Sequence, residues 1–142
     1  MLSLSGAGKS TLLDLLAARI VAKRFSGTVT MNGKTFPPGQ YRRLTTYVMQ
    51  DDALYPMLTV RETFRYAARL RVGDNKGKVH LEQLVTETIG LLGLETCADT
   101  IVGDMLHRGI SGGQKRRVTI GCEIISSPAL IFLDEPTSVS SN

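Results

Sequence analysis

The sequence holds no tryptophan, two cysteines, five prolines and only eight other aromatic residues, four tyrosines and four phenylalanines, among 142 positions. Cys97 and Cys122 make neither a disulfide framework nor a zinc pattern. They read as two reduced packing thiols in a cytosolic setting. The aromatic residues are not interleaved with basic ones as on a single-strand nucleic-acid surface. No apolar run approaches the ~18 residues that cross a bilayer, and there is no internal repeat and no low-complexity segment. Charge of one sign does not dominate either. Lys and Arg number 17 against 13 Asp and Glu, for a net charge of +4 spread along the chain. An anionic ligand such as a nucleotide explains that balance as well as nucleic acid does. With 42% hydrophobic and 21% charged residues, the composition excludes a disordered chain, and the length suits one globular domain.

What is present centres on Ser3 to Thr11, S-L-S-G-A-G-K-S-T. Ser5, Gly6, Ala7, Gly8, Lys9, Ser10 and Thr11 read as the end of a phosphate-binding loop running into a helix. Glycines let successive backbone N–H groups turn inward on a phosphate. Lys9 can reach the β- and γ-phosphates, and the Ser10 hydroxyl can ligate Mg²⁺. The N-terminal end of the helix adds positive potential to the anion site. The full pattern G-x-x-x-x-G-K-[ST] asks for glycine at position 3, where the chain has Ser3. Serine in a left-handed conformation costs roughly 1 kcal/mol, which predicts a weakened loop.

Along the chain, Leu12, Leu13, Leu16, Ala17 and Ile20 predict an amphipathic helix from Lys9 to about Lys23 with a buried face. Thr28 to Met31 alternates like a strand and ends at Asn32-Gly33, a hairpin-turn pair. Phe36 to Gln40 is a Pro-Gly loop, and Thr45 to Met49 is a short strand ending at Gln50. Thr59 and Glu62 form a capping box before a helix over Val60 to Arg71 that carries Phe64, Ala67, Ala68 and Leu70. After a polar loop from Gly73 to Gly77, a second helix runs from about Leu81 to Leu92. Its apolar side holds Leu81, Leu84, Val85, Thr88, Leu91 and Leu92, and Gly93 is its C-cap. Ser111 is an N-cap for a helix from Gly112 to about Ser126, which Pro128 ends. Ala129 to Leu133 is wholly apolar, as a parallel strand buried on both faces would be.

That strand ends in Asp134-Glu135-Pro136. A carboxylate at the end of a strand can hold a magnesium shell through water, and its neighbour can polarise an attacking water. Ser111-Gly112-Gly113-Gln114 is a second anion site in type, a hydroxyl and glycine N–H groups at a helix start. It resembles the signature motif of ATP-binding cassette (ABC) ATPases, and Gln50 fits the Q-loop of that family. Phosphate loop, Q-loop, signature and Asp134-Glu135 follow the family's order. The segments Y-V-M-Q-D-D-A-L-Y-P-M-L-T-V-R-E-T (Tyr47 to Thr63), R-G-I-S-G-G-Q-K-R-R-V (Arg108 to Val118) and L-I-F-L-D-E-P-T-S (Leu130 to Ser138) look like the G-type transporters. That subfamily includes the white/pigment half-transporters and the pleiotropic-drug-resistance proteins.

The resemblance implies an α/β chain, an incomplete P-loop NTPase (RecA-like) three-layer core with an inserted helical subdomain. The single unit 1–142 then divides into core over 1–50 and 128–142 and helical subdomain over 51–127. ATP and Mg²⁺ are the implied ligands. Ser5 to Thr11 would contact phosphate, Ser10, Gln50 and Asp134 would serve the metal, and Glu135 with Gln50 would carry catalysis. Ser111, Gly112, Gly113 and Gln114 would bind the nucleotide of a second, head-to-tail domain, in a homo- or heterodimer. The implied function is ATP hydrolysis driving transport, at the cytoplasmic face of a membrane, through a transmembrane domain outside this chain. Two alternatives are a soluble ABC ATPase working on ribosomes or DNA and a degenerate nucleotide-binding fragment without turnover. The basic run Lys115-Arg116-Arg117 could be cited for the first, but a solvated face or the ATP interface accounts for it, and no nucleic-acid partner is expected. Val139, Ser140 and Ser141 stand where the family has G-L-D. The adenine-stacking strands and the switch histidine have no counterpart, so the chain is expected to be truncated at both ends and a poor ATPase alone. His80 and His107 are assigned to surface or packing positions.

Overall fold

The computed structural model describes residues 8–20, 27–49, 53–73 and 77–133. In chain order the elements are α1 (Lys9–Leu16), α2 (Pro38–Leu44), β1 (Thr45–Val48), α3 (Val60–Val72), α4 (Lys78–Leu91), a 3₁₀ turn (Glu95–Cys97), α5 (Gly112–Ile124) and β2 (Leu130–Leu133). Among the described residues none of the helices is long and apolar enough to cross a membrane.

The first helix is shorter than its apolar spacing predicts. It stops at Leu16 because Ala18 turns left-handed at φ 54°. Arg19 N–H then reaches back to the Asp14 carbonyl at 2.9 Å and Ala18 N–H to Leu15 at 3.1 Å, which is Schellman geometry with alanine in the position glycine usually takes. Two side chains from α2 satisfy the end: the Tyr41 hydroxyl donates to the Leu16 carbonyl at 2.7 Å, and Arg42 donates twice to Ala18, at 3.2 and 2.9 Å. A guanidinium also suits the negative end of a helix. No residue of α1 is buried, and Leu12 faces solvent, so the buried face expected of it is not formed. Lys23 lies outside the described residues.

The Pro-Gly loop expected over Phe36 to Gln40 is instead, from Pro38 onward, the first turn of α2. Proline at the first helical position has its φ already set and lacks only an N–H that would go unused there. The hairpin pair is present. Asn32 and Gly33 sit at φ 53° and 75°, and Met31 and Lys34 exchange both hydrogen bonds at 2.9 and 3.1 Å. This is a primed two-residue turn, yet the predicted strand before it contracts to that one bridge.

The core lies under α3, α4 and α5. Val60, Phe64 and Ala68 from α3, Leu81, Val85 and Ile89 from α4, and Val118 from α5 are buried together with Leu94, Val102, Ile110 and Ile125. The capping box of α3 is complete, with Thr59 and Glu62 each bonded to the other's backbone. The first two N–H groups of α3 donate to Thr100 and Ala98, at 3.1 and 2.8 Å. Gly93 ends the turn after α4 at φ 60°, and Leu94 N–H closes on the Ile89 carbonyl at 3.0 Å, as the sequence predicts. Leu91, assigned to the apolar side of its helix, is exposed, and so is Leu70 of α3.

β1 and β2 pair in parallel, Thr45 with Leu130 through Val48 with Leu133. The parallel arrangement agrees with the all-apolar β2, but burial on both faces does not. Phe132, whose ring stacks on Tyr47 of β1, is buried while Ile131 and Leu133 are exposed.

Candidate functional site

Gly8 is left-handed at φ 77° and starts α1 without any side-chain cap, and the first turn of α1 carries no acidic residue. A helix start with neither a side-chain cap nor an acidic residue in its first turn is one that suits an anion. Lys9 is half-buried, and Ser10 and Thr11 are exposed at that end. Ser5, Gly6 and Ala7, and with them Ser3, lie outside the described residues.

The other predicted anion site is built differently. Ser111 Oγ accepts from Gln114 N–H at 3.3 Å, and Gln114 Oε1 accepts from Ser111 N–H at 2.8 Å. The capping box leaves the Ser111 hydroxyl proton available to donate outward. Gly112 and Gly113 are exposed, and a Cβ placed on Gly113 would meet nothing within 4 Å. The approach to this turn is fixed by two glycines that touch. A Cβ on Gly103 would lie 2.4 Å from Gly109 N, and one on Gly109 would lie 2.3 Å from the Val102 carbonyl oxygen. They close the neck of a loop at whose tip Asp104 accepts from the N–H groups of Leu106 and His107. Those bonds hold the Asp104 carboxyl below the usual range. His107 and His80 are both exposed, in keeping with surface roles.

Gln50, Asp134 and Glu135 lie outside the described residues. The strands that lead to them end side by side, since Val48 pairs with Leu133 in the parallel ladder. Of the residues expected to serve Mg²⁺, Ser10 alone is described; its hydroxyl, a hard oxygen donor at the helix start, is of the kind that ion takes.

The basic run is not a solvated face. Lys115 Nζ donates to the Gly103 carbonyl at 2.7 Å, Arg116 Nη1 to Met49 at 2.6 Å, and Arg117 Nη1 to Leu92 and Gly93 at 2.7 and 3.1 Å. Each cation is drawn inward by carbonyls left over at the end of a strand, a helix or a loop, and Arg116 is only 7% exposed. Cys97 and Cys122 are free thiols. Burial pushes the Cys122 thiol up to about 12, as befits a packing residue.

A groove that the sequence does not announce runs beside β1, with a volume of about 680 Å³. Met49, Tyr55, Met57, Tyr66, Ala67 and Leu70 line it, together with Arg71, Cys122 and Glu123. Leu70 is 86% exposed and Tyr55 77%. The one sequence signal for it is Leu70, an apolar residue too many for the core face of α3.

The family model described as ABC transporter matches residues 2–138. ABC transporter G family member 18 of Arabidopsis thaliana is 50% identical over 135 residues, which is 94% of this chain and 19% of that protein. G family member 6 of the same plant is 49% identical over 138 residues, 97% of this chain and 19% of that protein. G family member 5 of Oryza sativa subsp. japonica is 48% identical over 138 residues, 97% and 18% respectively. The chain thus spans under a fifth of the length of these relatives.

Proposed function

This chain belongs to the ABC transporter family, and from that premise we propose that it is the nucleotide-binding part of a G-type membrane transporter, hydrolysing ATP to drive transport. The family carries a P-loop NTPase fold. The finer assignment is an α/β core over 1–50 and 128–142 with a helical subdomain over 51–127.

One observation carries the reading. Left-handed Gly8 opens α1 with no side-chain cap and no acidic residue in the first turn, and Lys9 stands at the first helical position. In the proposed site the amides after Ser5, with Lys9, Ser10 and Thr11, hold the phosphates of ATP. Ser10, Gln50 and Asp134 would hold Mg²⁺, which would supply charge neutralisation on the phosphoryl oxygens. Gln50 and Glu135 orient and polarise the attacking water, Glu135 as the base. Ser111, Gly112, Gly113 and Gln114 serve the nucleotide of a second domain. There the Ser111 hydroxyl and the glycine N–H groups donate to γ-phosphate oxygens.

The apolar groove supports a membrane partner at the cytoplasmic face. It lies at α3, directly after the Gln50 segment, and its methionines and tyrosines suit an amphipathic helix from the transmembrane domain. The inward-turned Lys115, Arg116 and Arg117 leave no basic stripe in that run for a ribosome or DNA.

Lys9→Ala should weaken ATP binding about tenfold or more in titration calorimetry, since it deletes a charge-assisted contact. Equal affinity for both proteins would refute the phosphate-loop assignment. Glu135→Gln should bind ATP as before and release almost no phosphate; undiminished release would move the base role to another residue.

A further inference from the structure

α5 grips the stretch around β1 at two points. Near its start Arg116 Nη1 donates to the Met49 carbonyl at 2.6 Å. Near its end Glu123 Oε2 accepts from the Thr46 hydroxyl. The spacings are commensurate. The helix rises ~10.5 Å from Arg116 to Glu123 at ~1.5 Å per residue, and the chain rises ~10 Å from Thr46 to Met49 at ~3.3 Å per residue. Two bonds at matching separations, with α5 running against β1, fix both the register and the angle of the helix on the strand. The other oxygen of Glu123 pairs with Arg71 of α3 in the lining of the apolar groove, and its side chain is 19% exposed.

We propose that Arg116 and Glu123 are positioning residues that make α5 and β1 one moving body. That body carries the Ser111–Gln114 turn at one end of the helix and Met49, the residue before Gln50, at the end of the strand. Arg71 ties it to α3, so a displacement of the groove reaches both ends together. This rests on reading Gln50 and the Ser111 turn as parts of the ATP site, but the mechanical part does not.

The test uses the intact transporter that contains this chain, with ATP as the probe. Arg116→Met keeps the length of the side chain and removes its donors. It should speed amide hydrogen exchange over residues 45–49 about tenfold, leave exchange in the middle of α3 unchanged, keep ATP affinity within about twofold and lower kcat about tenfold. Arg116→Lys, which can still donate to a carbonyl, should recover most of the loss. Thr46→Val removes the second grip without changing shape and should lower kcat to an intermediate level; it carries the comparison if Arg116→Met does not fold. A kcat that stays at the wild-type value in a folded variant, or one that falls only in proportion to the folded fraction, overturns the proposal. If the wild type neither binds nor hydrolyses ATP, the functional reading fails. The exchange result then still decides the clamp: unchanged exchange over 45–49 refutes it, and a rise confined to 45–49 supports it.

Discussion

Cys122 shows how far a residue's environment can override its intrinsic chemistry. Its thiol is pushed up to about 12 because the charged form would lose hydration among α3 and α5 side chains. At pH 8 the thiolate population is then on the order of 10³-fold below that of a free cysteine of pKa ~8.5. Alkylation by iodoacetamide at pH 8, followed by mass spectrometry, should leave Cys122 unlabelled while the fold persists; labelling at the rate of a model thiol would refute the packing role. The sign of the linkage follows from the raised value. The neutral thiol is favoured in the fold, so its contribution is complete below pH ~8.5 and fades as the pH climbs toward 12. The packing role is legible from a count of two cysteines, but the inward turn of Lys115, Arg116 and Arg117 is not. Three consecutive cations at a helix start carry no periodicity, and only the placement of the Gly103, Met49 and Leu92 carbonyls draws them in.

At the scale of elements, local signals succeed where the chain satisfies itself. The boxes Thr59-Glu62 and Ser111-Gln114 and the Asn32-Gly33 turn close within four residues, and the Gly93 cap within six. Thr59→Ala should cost about 1 kcal/mol. They fail where distant groups take part: α1 ends at the left-handed Ala18, with Tyr41 and Arg42 from α2 on its last carbonyls, although its apolar spacing continues. The α3–α5 contact is closer than either sequence alone requires. A Cβ on Gly121 would lie 2.5 Å from the Phe64 ring and 2.7 Å from Leu92 Cδ1. Gly121→Ala should therefore destabilise by about 1–3 kcal/mol through overpacking. Phe64→Ala should cost about 3–5 kcal/mol through the void it leaves. Urea denaturation of each variant checks both. In the double variant the methyl group enters space the ring has vacated, so the combined loss should be less than the sum of the two.

For the whole molecule, the groove is one of the places where the described residues leave apolar surface uncovered; Val79, Leu91, Met105 and Leu106 are exposed elsewhere. Leu70→Asp should leave the melting temperature nearly unchanged, because a residue 86% exposed contributes little to the fold. It should reduce retention of the transmembrane part when the transporter is solubilised and its subunits separated. Retention equal to wild type would remove the groove from the proposed interface. What the sequence determined alone is the family and the order of its motifs, because glycine φ, capping and an apolar strand ended by acids are local chemical requirements. The tertiary structure decided which apolar residues became core and which became groove, and which cations became clamps. Period and composition state that a side chain is apolar or charged. Only the packing of α3, α4, α5 and β1 against one another states what each one meets.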